Sequence, residues 1–178
     1  MGNYSHTIIS KVMPNRTDTV STLKNKIKWV SEYKYDASLM TYLLSGAKFL
    51  KLIPTILYDE KQYPCILSDA NQGIELFRQV YEILVKSDMH VSQKEFDKTM
   101  KDFQRFSPKF VITDVNDLAF MITSDLSKVI KENKKYLKQW VKMCNRLKKE
   151  IKRSNEKEVV KIIDNYFEID QIELYPLD

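Results

Sequence analysis

A chain of 178 residues, 43% hydrophobic and 30% charged, is long enough to bury a sizeable core and too apolar to be a disordered segment. Three glycines and five prolines are too few for a turn-dense all-β fold, and two cysteines are too few for a disulfide scaffold. The net charge of +5 hides a sharp segregation: residues 128–153 carry +9 and residues 154–178 carry −5.

Residues 1–16 read as an irregular N-terminal arm closed at Pro14. Gly2, after Met1, is a lipidation candidate: the start resembles that of N-myristoylated chains, although His6 stands where the motif calls for Ser or Thr. The arm lacks the apolar stretch of a signal peptide, and no run of about 18 apolar residues follows to span a bilayer. The expectation is an intracellular, cytoplasmic protein, soluble or membrane-peripheral, with Cys65 and Cys144 as free core thiols.

Residues 17–153 read as one helical domain. Thr17 or Asp18 caps a helix in which Val20, Leu23, Ile27 and Val30 recur at three- and four-residue spacing. Asp36 caps a second with Leu39, Leu43, Ala47 and Leu50 on one face, stopped by Pro54. Residues 55–67 read as a β-hairpin around Asp59-Glu60-Lys61-Gln62, with Pro64 confining the second strand to a sheet edge. Ser68 or Asp69 opens a third helix carrying Ile74, Phe77, Tyr81 and Leu84. Ser92 and Glu95 form a capping box before Phe96, Met100 and Phe103, and Pro108 ends that helix. Phe110–Thr113 reads two ways: as a strand paired with residues 118–123, or as the lead into a helix that Asp114 caps and that runs on. The long helix is preferred.

From Leu126 the pattern is unusually regular. Leu126, Ile130, Asn133, Leu137, Trp140, Cys144, Leu147 and Ile151 alternate in steps of four and three, an apolar stripe that Ser154-Asn155 breaks. Asn133 in that stripe raises the question of a seam between chains, but Trp140 is too large for a simple two-stranded coil, so packing within one chain and a monomer are expected. Residues 154–178 read as an acidic segment packed on the same domain: a helix around Val159, Ile162 and Ile163, then a strand over residues 167–175. The fold class expected is mainly α, an α+β chain with only a minor β-hairpin: a compact helical bundle with one long C-terminal basic helix. Leu23, Ile27, Leu43, Phe77, Leu84, Phe103, Leu137, Trp140 and Leu147 are expected in its core.

Catalytic motifs are absent. His6 and His90 lie far from cysteine and from paired carboxylates, so no zinc ligand set forms in sequence, and both read as surface or capping residues. Gly2, Gly46 and Gly73 cannot build a phosphate-cradling loop. The acidic pairs Asp59-Glu60, Asp97 with Asp102, and Asp114 with Asp117 fall in turns, helix faces or caps. No cofactor and no metal site is expected.

The basic helix is the strongest functional signal. Its polyanion-contact candidates are Lys128, Lys131, Lys134, Lys135, Lys138, Lys142, Arg146, Lys149 and Arg153. Over residues 128–153 lysine outnumbers arginine nine to two, which suits point-charge contact with phosphate rather than forked recognition of base edges. A solvated face of a core helix gives the same composition. The sequence thus reads as a non-enzymatic interaction protein whose basic helix contacts an acidic protein or a nucleic-acid backbone. The alternatives are a membrane-peripheral, N-myristoylated structural or host-modulating protein of viral type, held to anionic lipid by Gly2 and the lysines, and an unrecognised metal-dependent enzyme.

Overall fold

A computed structural model describes residues 3–89 and 91–166. It corrects the expected fold class. The chain is α+β, built on a five-stranded antiparallel sheet, and is not a helical bundle with a hairpin attached. Strands β1 (Tyr4–Ser10), β2 (Ile27–Lys34), β3 (Phe49–Pro54), β4 (Pro64–Asp69) and β5 (Phe110–Asp114) lie in the order β2-β1-β5-β4-β3.

Four corrections follow along the chain. The residues read as an irregular arm contain β1, which pairs with β2 on one side and β5 on the other. The helix expected from Thr17 is a single turn, α1 (Val20–Leu23), followed by a 3-10 turn and then β2. Register explains the misreading: Thr7 pairs with Ser31 and Ile8 with Trp29, so Val30 is an extra, bulged residue. The bulge breaks the two-residue alternation of β2 and sets Ile27 and Val30 three apart, which mimics a helix. The hairpin is real but displaced, formed by β3 and β4 around a loop of residues 55–63. Pro64 does not put its strand at an edge. β4 lies between β3 and β5, and a proline is tolerated there because it is the first residue of the strand.

The helices fall closer to their sequence signals. Ser38 caps α2 (Leu39–Gly46), Asp69 caps α3 (Ala70–Lys86) and Ser92 caps α4 (Gln93–Phe106), each side chain accepting from a backbone N–H three residues on. Only half of the expected capping box forms, because the Glu95 carboxylate turns away to accept from the Tyr81 hydroxyl at 2.9 Å. The stretch after Pro108 follows neither reading: β5 is a strand of the main sheet, and a short helix α5 (Asn116–Phe120) separates it from α6 (Leu126–Lys152). Then comes α7 (Glu156–Tyr166). The expected strand over residues 167–175 lies outside the described residues.

One sheet face carries the main core. Ile9 and Val111 pack under α2, α3, α6 and α7 together with Leu43, Phe77, Leu84 and Leu147. The opposite face, with Ile8, Leu67 and Ile112, is covered by Leu23 and Ile56 from the α1 segment and the β3–β4 loop. All the expected core residues are buried except Ile27, which is half-buried. Between the sheet and α2 runs a seam of hydroxyls: Thr7 meets Thr41 at 2.7 Å, Ser45 meets Thr113, and Ser68 donates to the Ser45 carbonyl at 2.7 Å. Small side chains let the helix lie close to the strands, and each buried polar group finds its partner in that contact.

Candidate polyanion-binding face

Helix α6 opens at Asp125, whose carboxylate accepts from the Ser127 N–H at 2.9 Å, and runs 27 residues. At 1.5 Å per residue that is about 40 Å. Its buried side is Asn133, Leu137, Trp140, Cys144 and Leu147, the central part of the stripe read from the sequence, together with Val129 and Met143. Leu126, Ile130 and Ile151 at its two ends are half-buried. The stripe is filled by the chain's own elements: Leu137 and Trp140 pack with Ala37, Ile66, Val115 and Leu118, and Trp140 stacks on Tyr42 with ring centroids 5.0 Å apart.

Two devices fix the helix in place. Gly46, at the end of α2, has no side chain because none fits: a Cβ there would lie 2.7 Å from the Trp140 carbonyl oxygen. The second device is polar. The Asn133 amide donates to Asn116 Oδ1 at 3.0 Å, and the Asn116 amide donates to the Pro64 carbonyl and to Asp114. The fully buried Asp114 carboxylate also accepts from Thr55 and Cys65. Burial pushes the Asp114 carboxyl above its ordinary range, against the pull of these hydrogen bonds. Asn133 is thereby tied through Asn116 to Pro64 of β4 and Asp114 of β5.

Opposite the buried stripe stand Lys128, Lys131, Lys134, Lys135, Lys138, Lys142, Arg146, Lys149, Lys152 and Arg153, every one exposed. At 100° per residue they occupy roughly one third of the helix circumference, and no acid shares that arc. Glu132 and Glu150 lie on its flank, about 27 Å apart along the axis and both half-buried. Lys148 leaves the group: it is half-buried and donates to the Ala47 carbonyl. Among the described residues the only ion pair on this face is Arg153 with Glu150, at 3.5 Å. The described part of the acidic segment forms no ion pair with the stripe. Helix α7 packs through Val159, Ile162 and Ile163 into the main core, and its Glu156 pairs with Lys86 of α3 at 3.4 Å.

The remaining sequence candidates scatter. Gly2 lies outside the described residues, as does His90. His6 is not a surface residue: on β1 its ring lies between Glu32 and Asp117, 3.6 and 3.8 Å away, with its side chain 13% exposed. Cys65 and Cys144 are free and buried, and burial raises both thiols, Cys144 to about 12, so neither offers a thiolate near neutral pH. Among the described residues no three His, Cys, Asp or Glu side chains converge as metal ligands, and no helix is long and apolar enough to cross a membrane. No family model, curated protein or solved structure matches the chain.

Proposed function

We propose that the protein binds the phosphate backbone of nucleic acid through the outer face of α6, without reading base sequence. The observation that carries this reading is the acid-free arc of ten exposed bases, unpaired among the described residues apart from Arg153. From Lys128 to Arg153 the axial distance is about 38 Å, or one positive charge per about 4 Å. A nucleic-acid duplex carries phosphates at regular intervals, one per about 1.7 Å of its axis with both strands counted, so the arc can neutralise part of the row that faces it. An acidic protein surface has no such regular spacing. Lysine heads give strong but undirected contacts with phosphate, and backbone contacts carry no sequence information.

Lysines on an amphipathic helix commonly do nothing more than face water, and cost distinguishes the two roles. Within the arc, five like-charged pairs stand four apart (131–135, 134–138, 138–142, 142–146, 149–153) and five stand three apart (128–131, 131–134, 135–138, 146–149, 149–152). Each repels by roughly 0.2–0.5 kcal/mol at low salt. Interspersed acids would solvate the helix equally well and remove the repulsion. A polyanion laid along the arc removes it too.

The test is binding to mixed-sequence RNA and DNA oligonucleotides at low and physiological salt. With about five phosphates neutralised, affinity should fall about 10²–10³-fold between 50 and 200 mM salt. Charge reversal at Lys134, Lys138 and Lys142 should weaken every sequence alike. No detectable binding at low salt removes nucleic acid from the partners. Tighter binding to anionic vesicles or acidic peptides than to oligonucleotides of equal charge would transfer the arc to that class.

A further inference from the structure

We propose a second binding site, separate from the lysine arc, for a methylated ammonium group. It lies where the β3–β4 loop meets α5. There Leu57, Tyr58, Asp59, Glu60, Tyr63 and Phe120 line an open cavity of about 530 Å3, a volume within the range of small-ligand sites.

Three aromatic rings form its walls. Tyr63 and Phe120 have centroids 5.2 Å apart and planes inclined at 76°. Tyr58 lies 6.0 Å from Phe120 at 68° and 6.1 Å from Tyr63 at 76°. Three planes steeply inclined to one another make the corner of a box. Aromatic faces are electronegative, so such a corner attracts a cation that carries its charge on a compact, greasy surface.

The charges around the cavity agree. Asp59 and Glu60 are exposed on its lining and form no ion pair among the described residues. The one lysine of the loop is turned elsewhere: Lys61 donates to the Asp18 and Thr55 carbonyls, so no cation of the loop fills the site. The Tyr58 hydroxyl is committed to Asp117, which fixes the ring and withdraws that oxygen from the ligand. A primary ammonium needs three acceptors and is strongly hydrated, whereas a trimethylammonium needs none and is held by ring faces and long-range attraction to carboxylates. The chemistry selects the quaternary group, free as a choline-type cation or carried on a lipid headgroup.

The experiment titrates choline chloride into the full chain and follows backbone amide shifts of residues 57–63 and 120, with potassium chloride at matched ionic strength as the blank. A parallel titration uses 3,3-dimethylbutan-1-ol, which has the shape of choline without its charge. Choline should give saturable shifts there at millimolar concentration, and the neutral isostere should bind at least about tenfold more weakly. Phe120→Leu, which keeps apolar bulk but removes the ring, should weaken choline about fivefold. Asp59→Asn with Glu60→Gln changes only exposed side chains, keeps the fold, and should also cost severalfold, more at low salt. Phosphatidylcholine vesicles supply the second source: co-sedimentation that free choline reverses assigns the site to a headgroup, and choline binding without it assigns a soluble cation. Equal binding of choline and its neutral isostere, or no shift at these residues with either choline source, overturns the proposal.

Discussion

Neutralising three lysines at the centre of α6 should make the protein more stable. Lys134, Lys138 and Lys142 take part in five of the like-charged pairs, with Lys131, Lys135, Arg146 and one another, and none of the three stands three or four residues from an acid. Glutamine matches lysine closely in helix propensity, so Lys134→Gln, Lys138→Gln and Lys142→Gln together change charge and little else. At roughly 0.2–0.5 kcal/mol per pair, the variant should gain about 1–2.5 kcal/mol at low ionic strength. For a chain of this length each kcal/mol raises Tm by roughly 2–4 °C. Urea unfolding at about 10 mM and 0.5 M salt is the assay, since the gain must shrink as the Debye length contracts from about 30 Å to a few ångströms. The same variant should bind oligonucleotides with a salt slope lower by about one per lysine removed. A variant no more stable than the parent, or less stable, would refute the reasoning, because the arc would then carry no net repulsion in the folded chain.

Four further outcomes test the packing. Gly46→Ala forces a methyl to within 2.7 Å of the Trp140 carbonyl and should cost about 1–3 kcal/mol by urea unfolding. Leu137→Ala, in the cluster with Ile66 and Leu118, should cost about 2–5 kcal/mol, and a loss of a few tenths would place the stripe at the surface. Asn133→Ala leaves Asn116 Oδ1 without the amide that donates to it and should cost about 1–3 kcal/mol, with the mutant still monomeric by sedimentation. Burial raises Glu95 from 4.5 to about 7, against the Tyr81 hydroxyl that donates to it. Its stabilising contribution, at most about 3 kcal/mol, is therefore complete below pH 4.5 and lost as pH rises through 7, and Glu95→Gln should flatten that limb of the urea midpoint against pH.

What the sequence revealed and what it concealed divide along a physical line. Helices α3, α4, α6 and α7 announce themselves because each buries one side, so a period near 3.6 is written into Phe77, Tyr81 and Leu84 or into Leu137, Trp140, Cys144 and Leu147. The strands are hidden for separate reasons. β1 is covered on both faces, so Ser5, Thr7, Ile8, Ile9 and Ser10 are all buried and no alternation survives. Its serine and threonine look like surface residues until Thr41 and Asp36 appear as their partners. In β2 the bulge at Val30 replaces alternation with a helical spacing. The lysine arc was legible as composition, and only the fold could show that Glu156 of α7 pairs with Lys86 of α3 instead. The aromatic cavity left no signal at all, because Phe120 meets Tyr58 and Tyr63 across nearly 60 residues of chain.

The two proposed sites meet at α5. Helix α6 is held by a glycine that admits its backbone, by a stacked tryptophan, and by a buried network running from Asn133 through Asn116 to Asp114 and Thr55. That is firm anchoring for a helix whose outer side repels itself, and the anchoring is what lets the repulsion persist without fraying the helix. Short α5 lies between the two sites. Asn116 belongs to the network behind the lysines, while Asp117 fixes the Tyr58 ring and Phe120 supplies a wall of the cavity. A ligand that shifts Phe120 therefore pushes on the element that orients Asn133. If the two sites are energetically linked, choline must change oligonucleotide affinity and oligonucleotide must change choline affinity by the same factor. Asn116→Ala should bring that factor to one while leaving both sites formed, and a coupling factor that Asn116→Ala does not alter would show that α5 carries no such link.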